Sequence, residues 1–292
     1  MHAPLKRVVM RAPGAILSAD AETWHYAKPI DPDRLNAQYR HFVGLVEAAG
    51  AEVVWIDDSP PVGSGPAMTV NDGLADSVFT YDPSFVIADG AIVLRPGKDL
   101  RVDEARLHAD FYRRTGVPIL GHIEEPGTVE GGDVFWLDNT TLAVGRGFRT
   151  NQPGIDQLAD IVADHGLELF AVDLPYFQGP EACLHLLSVI SPLDDDLALI
   201  HAPLLPTSLY QRLVDLGYEL LIAPPEEFGA SAGLSLNVLA TGPRQCIAIE
   251  GFPGTLNLLR EAGCEVATFA ADELCIPCEG GPTCLTRPLL RA

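Results

Sequence analysis

One pattern recurs five times between residues 7 and 270. A short apolar run ending near glycine or proline leads into an amphipathic stretch of helical period. A second apolar run and a polar, glycine-rich loop follow. The first runs are RVVMRAPG (7–14), AIVLRPG (91–97), LAVGRG (142–147), LALIHAPL (197–204) and CIAIEGFPG (246–254). The helical stretches (33–50, 103–116, 154–166, 208–217 and 255–263) all end on glycine, a residue that stops helices. The second runs lie at 51–57, 117–123, 167–174, 218–224 and 265–270. The last four first runs begin about 50 residues apart, a spacing found in repeat architectures. The polar segments share one phase of the repeat: EEPGTVEGGD, PYFQGPEACLHL, PPEEFGASAGLSLN and DELCIPCEGGPTC, with the earlier VNDGLADSVFTYDP. If five such α/β units close around an axis, these segments meet at one end, and one site collects residues from distant parts of the chain. An ordinary doubly wound α/β sheet with a coincidental period is the competing reading.

Composition narrows the function. A chain of 292 residues that is 47% hydrophobic can bury a substantial core, and its length allows one or two domains. A formal charge of −21 argues against nucleic acid as a partner, because phosphate binding needs clustered Lys and Arg. Its ordinary consequence is solubility, although an acidic surface also suits a cationic ligand. There is no apolar run of about 18 residues, so no membrane span is expected. MHAPLKRVVMRAPG lacks the apolar core of a secretion signal, which points to the cytoplasm and to six reduced cysteines. No dinucleotide fingerprint, phosphate loop or HExxH is present.

The chemistry-bearing residues fall in the polar loops. Cys284 follows Gly-Gly-Pro in EGGPTCLTRPL, a turn that brings backbone close and leaves a thiol reachable. A buried structural cysteine is the alternative. His185, in EACLHLLSVI, is the histidine placed in the same loop set and is the candidate base. Glu130 precedes two glycines in VEGGDVFWL, with Asp133 after them; an ordinary acidic turn would look alike. Asp76 and Asp82 flank Phe79 in LADSVFTYDP and would share a face if that segment were a strand. Paired carboxylates beside a Cys–His pair suit a planar cation rich in N–H donors, which a guanidinium is. Arg101 and Arg149 could grip a carboxylate at the substrate's other end, or lie on the surface. Cys275 and Cys278 have CxxC spacing, but no second pair completes a zinc site, so no metal is expected.

With DSVFTYDP, IVLRPGKDLR, EGGDV, GRGFRTN and GGPTCLTRPL in view, the chain resembles the guanidine-modifying enzymes over nearly its whole length. That superfamily holds the dimethylarginine dimethylaminohydrolases, arginine deiminases, arginine dihydrolases and amidinotransferases. The resemblance implies a five-bladed α/β propeller of ββαβ repeats with pseudo-fivefold symmetry, here one catalytic domain over 1–292. It implies Cys284 as nucleophile, His185 as general acid/base and Glu130 as the carboxylate that orients the histidine and contacts the guanidinium. It puts Asp82 on the guanidinium nitrogens, Asp76 near the α-amino end, and Arg101 and Arg149 on the α-carboxylate, with Phe79 among the substrate-binding residues. Arginine deiminases usually carry His-Leu-Asp where this chain has His185-Leu186-Leu187, and the lost carboxylate favours an N-substituted guanidine. Tyr81 departs from both subfamilies, and the extra helical domain of typical deiminases is missing.

The implied reaction turns dimethylarginine into citrulline and dimethylamine through a covalent thiouronium on cysteine, without a cofactor. Dihydrolysis or deimination of arginine, amidino transfer, and a catalytically silent arginine- or partner-binding propeller are the alternatives. The expected partner is a small cationic guanidino substrate; a homodimer is left open. GSGPAMTVNDG (63–73) is a candidate lid by its glycines.

Overall fold

The computed structural model describes residues 3–57, 72–180 and 182–292. Within them, five three-stranded sheets follow one plan. They comprise β1 (Leu5–Met10) and β2 (Glu52–Trp55); β3 (Ser84–Ile87), β4 (Gly90–Val93) and β5 (Ile119–His122); β6 (Val134–Trp136), β7 (Thr141–Arg146) and β8 (Glu168–Asp173); β9 (Ile190–Asp194), β10 (Leu197–Ile200) and β11 (Glu219–Ile222); and β12 (Leu239–Gly242), β13 (Gln245–Ile249) and β14 (Glu265–Phe269). The last strand, β15 (Arg287–Arg291), joins the first sheet. In every sheet the middle strand pairs antiparallel with one neighbour and parallel with the other. The parallel pair needs a long crossover, which the helix supplies. Those helices are Pro32–Ala48, Glu104–Thr115, Gln152–Ala163, Thr207–Asp215 and Pro253–Glu261. The glycines that end the five stretches, Gly50, Gly116, Gly166, Gly217 and Gly263, all take the left-handed conformation.

The fold is the five-bladed α/β propeller, and the doubly wound sheet is excluded because no sheet among the described residues exceeds three strands. The repeat pattern locates the two parallel strands of each unit. The third, β3, β6, β9, β12 and β15, follows each polar loop and has no crossover helix to mark it. β15 lies against β1 from the opposite end of the chain, which closes the ring.

The core lies between blades. Alternate residues of each middle strand enter different clusters. On β4, Ile92 packs toward the third blade while Ala91 and Val93 pack toward the first. On β7, Leu142 and Val144 face the second blade and Ala143 the fourth. On β10, Leu197 and Leu199 face the fifth blade, Ala198 and Ile200 the third. A strand buried on both faces reads as a continuous apolar run, which is how these strands appear in the sequence.

One local expectation is corrected. The segment holding Asp76 and Asp82 is not a strand: residues Ala75–Val78 form a 3-10 turn and the chain turns on through Asp82. All but the last two residues of the candidate lid lie outside the described residues. No helix among the described residues is long and apolar enough to cross a membrane.

Candidate active site

Each of the five short third strands is preceded by one piece of the site. Asp82 lies before β3, Glu130–Asp133 before β6, His185 before β9, Asn237 before β12 and Cys284 before β15. Hydrogen bonds then tie the blades together at this end. Gly132 N–H donates to Asp82 Oδ1 at 2.9 Å, and His185 Nε2 meets Glu130 Oε2 at 2.5 Å. Leu186 N–H donates to Asp133 Oδ1 at 2.8 Å, and Tyr81 N–H to the Cys284 carbonyl at 3.1 Å. Asn237 Nδ2 donates to Cys284 Sγ at 3.4 Å, while its Oδ1 accepts from Thr283 N–H at 2.9 Å.

The glycines explain how the pieces approach. A Cβ on Gly132 would collide with His185 Nδ1, and one on Gly281 would collide with the Asn237 side chain. Gly280 lies against the Phe79 ring in the same way. EGGD and GGPTC therefore spell out close contacts: the first admits the histidine, the second admits the amide that touches the thiol.

Glu130 is fully buried and its oxygens are spoken for. Oε1 accepts from Gly97 N–H (2.9 Å), Lys98 N–H (3.2 Å) and Arg149 Nη1 (3.4 Å), and Oε2 is held by His185. Burial opposes its ionisation, yet the His185 hydrogen bond and charge hold its pKa far below the usual carboxylate range. Burial likewise opposes a charged His185, but Cys183, Asp82 and Glu130 overcome it and raise the imidazole pKa well above its ordinary value. Nδ1 of the same ring lies 3.7 Å from Cys183 Sγ. Cys284 rests as a neutral thiol, pushed up to about 11 by burial and the charge of Asp82, with His185 pulling the other way.

The remaining residues divide. Asp82 accepts from Gly132 and from Arg101 Nη1 (2.6 Å), which leaves lone pairs to spare. Arg101 is buried: Nε and Nη2 go to Glu104 and the Phe79 carbonyl, and little of the guanidinium is left for a ligand. Arg149 makes one long contact, to Glu130, and keeps donors for a carboxylate. Asp76 is taken by Tyr26 Oη (2.8 Å) and Lys98 Nζ (2.7 Å), so an amine reaching it must compete with Lys98. Phe79 is buried in the cluster between the first and fifth blades. Leu187 packs between the third and fourth blades.

Asn237, Cys183, Glu104 and Lys98 were not anticipated as site residues. Asn237 and Cys183 do fall in the polar loops at the shared phase, which is the signal that could have found them. Asp82, Glu130 and His185 each offer one ligand atom within 4.8 Å of the others. Glu130 and His185 spend theirs on each other, Asp82 accepts from Gly132 N–H and Arg101, and two arginine cations border the group, a donor set poorly suited to a metal.

The arginine deiminase family model matches residues 65–227, more than half of the chain. A dimethylarginine dimethylaminohydrolase of Streptomyces coelicolor is 30% identical over 281 residues, covering 94% of this chain and 96% of that protein. The chain belongs to the guanidine-modifying superfamily. Within it, the chain is most like the dimethylarginine dimethylaminohydrolases, and it is a hydrolase of guanidino C–N bonds. An arginine deiminase of Mycobacterium avium is also 30% identical, but this chain spans 62% of that protein's length. Two solved structures share the superfamily's fold. The dimethylarginine dimethylaminohydrolase of Pseudomonas aeruginosa with citrulline has a TM-score of 0.76 at 20% identity, covering 97% of this chain and 99% of that one. An amidinotransferase of Microseira wollei has a TM-score of 0.78 at 17% identity, covering 99% and 95%.

Proposed function

We propose that this chain converts asymmetric dimethylarginine into citrulline and dimethylamine, as one catalytic unit over residues 1–292, in the reducing cytoplasm that free thiols suit. The observation that carries the reading is His185 Nε2 locked to Glu130 Oε2 at 2.5 Å, at the same end of the propeller as Asp82 and the Cys284 thiol that Asn237 touches. End-to-end similarity to the Streptomyces coelicolor enzyme supports the methylated substrate.

The steps follow from the charges. The substrate's guanidinium docks on the spare acceptors of Asp82, and Arg149 takes its carboxylate. The added positive charge lowers the thiol pKa, the thiol gives its proton to solvent water because His185 is already protonated, and the thiolate attacks the guanidinium carbon. Charged His185 gives its proton to the departing dimethylamine, leaving an S-alkylthiouronium on Cys284. Neutral His185 then takes a proton from water, the hydroxide adds to the same carbon, and C–S cleavage releases the thiolate and citrulline, whose new hydroxyl gives its proton to solvent to become the carbonyl. Glu130 keeps the imidazole oriented and charged.

Deimination of arginine is the second reading, favoured by the family model that matches 65–227. Mass spectrometry after incubation with arginine, monomethylarginine and asymmetric dimethylarginine together separates the two. Citrulline with dimethylamine and intact arginine is the expected result. Ammonia or ornithine from arginine would move the assignment to deiminase or dihydrolase. Cys284→Ser should bind substrate and lose essentially all turnover; wild-type turnover would remove the nucleophile role.

A further inference from the structure

The propeller has a second end. The site residues precede the short third strands; a cavity of about 660 Å³ lies along those same strands and reaches the hairpin turns beyond them. All five strands contribute to its wall, so it sits on the pseudo-symmetry axis, back to back with the catalytic end. Tyr81, Thr283 and Leu187 line it; Tyr81 and Thr283 are chain neighbours of Asp82 and Cys284, and Leu187 lies two residues after His185, while Asp82, Cys284 and His185 themselves do not line it. Its wall is mostly apolar and aromatic, with Phe85, Trp136 and Leu187 prominent. Asp138 and Asp195 stand at the rim, in the turns after β6 and β9.

Two cations face this space from one strand. Arg287 and Arg291 lie at the two ends of β15, whose pairing with β1 is irregular between them, and both line the cavity. Arg11, Arg101 and Arg287 are the fully buried arginines of the described residues. Arg11 pairs with Asp57 and Asp72, and Arg101 with Asp82 and Glu104. Arg287 has no carboxylate within ion-pair distance among the described residues. Its guanidinium stacks 3.7 Å over the Tyr81 ring and gives Nη2 to the Tyr81 carbonyl, while Nε is buried with no hydrogen-bond partner. Arg291 gives one N–H of Nη1 to the Ala3 carbonyl and one of Nη2 to the Ala240 carbonyl, and keeps the second N–H of each. Burial, and then the repulsion of Arg287 set against the attraction of Tyr81, push the Arg291 pKa down to about 10. A guanidinium stays charged in proteins, and a buried charge without a counter-charge is costly. Asp138 and Asp195 line the same cavity, but no described carboxylate pairs with Arg287, which leaves a place for an anion from outside.

We infer that the axial cavity is a second ligand site, which takes a small carboxylate with an apolar body. The carboxylate lies on Arg287 and Arg291, and the body lies against Phe85, Trp136 and Leu187. The arginine fork matches a carboxylate's two oxygens, and the apolar wall excludes a ligand that is polar throughout.

Trp136 supplies the readout. The full chain is titrated with hexanoate, benzoate and phenylacetate, with phenethylamine as the cationic control, and followed by tryptophan fluorescence. At least one carboxylate should give a saturable change that disappears in Trp136→Phe and weakens roughly tenfold or more in Arg291→Gln, since a charge-assisted hydrogen bond is lost. Arg149→Ala, at the catalytic end and outside the lining of this cavity, should bind the same carboxylate unchanged. Arg287→Gln buries an amide at a crowded position and can fail to fold, so Arg291→Gln and Trp136→Phe carry the test. Four results would each overturn the inference. They are no saturable binding by any of the three acids up to ~10 mM, equal affinity in Arg291→Gln, loss of binding in Arg149→Ala, or equal binding of the amine.

Discussion

Replacing Glu130 with glutamine probes the charge balance at the centre of the site. Glu130→Gln keeps the side chain's size and an oxygen for the Gly97 and Lys98 N–H groups, but removes the buried charge that meets His185 at 2.5 Å. A hydrogen bond to a charged group contributes about 1.5–3 kcal/mol. At about 1.4 kcal/mol per unit, the His185 pKa should fall by one to two units. It should fall only part-way, because Asp82 and Cys183 still face the ring. Titrating the imidazole protons by NMR in the resting protein reads this without relying on turnover: of eight histidines, the resonance held well above the ordinary value is His185. The sign carries through to stability. A histidine whose pKa is raised by folding contributes fully below its unfolded value of about 6.5, and that contribution is lost as pH rises through the folded pKa. Glu130, whose pKa is depressed, contributes above the ordinary carboxylate range and loses this only as pH falls through its lowered value. Glu130→Gln should therefore lose stability most in the window between the two. A His185 titration that shifts by no more than a few tenths would refute the reasoning.

Three further outcomes follow from the same geometry. Asp82→Asn removes the charge that helps push Cys284 up to about 11, so thiol alkylation should gain rate at lower pH while KM for the guanidine rises at least about tenfold; an unmoved alkylation profile would count against it. Gly132→Ala drives a Cβ into His185 Nδ1 and should cost about 1–3 kcal/mol in denaturant unfolding with a larger loss of kcat, whereas wild-type values would show that the backbone can give way. Leu142→Ala opens a cavity between the second and third blades and should cost about 2–5 kcal/mol in the same assay with KM unchanged.

Much of the fold is legible in the residues because the repeat carries two independent signals. Helices end on glycines that take the left-handed conformation, and the middle strands are apolar on both faces since each is clamped between two blades. The strands after the polar loops escape the repeat: β6 has three residues, too few to show alternation, and β3, β9, β12 and β15, no shorter than the middle strands β4 and β10, have no crossover helix to mark them. The LADSVFTYDP segment misleads for a related reason. Its spacing suits a strand, but Phe79 is drawn into the core beside Gly280 and the chain turns around it.

The candidate site is legible only as a set of names. Cys284, His185, Glu130 and Asp82 announce themselves by residue type and by loops of shared phase, and those local features come from the sequence alone. Which acceptors remain open does not. Glu130 is saturated, Asp82 keeps lone pairs, Arg101 is consumed by its near neighbour Glu104 and by Asp82, and Arg149 is spared; apart from Glu104, three residues away, these partners lie 19 to 55 residues apart and meet only in the folded chain. Residue types and their local spacing set the helices, the middle strands and the inventory of reactive groups. Ring closure by β15 decides their mutual distances and protonation, because burial and neighbouring charge are properties of the assembled propeller, and no single blade contains them.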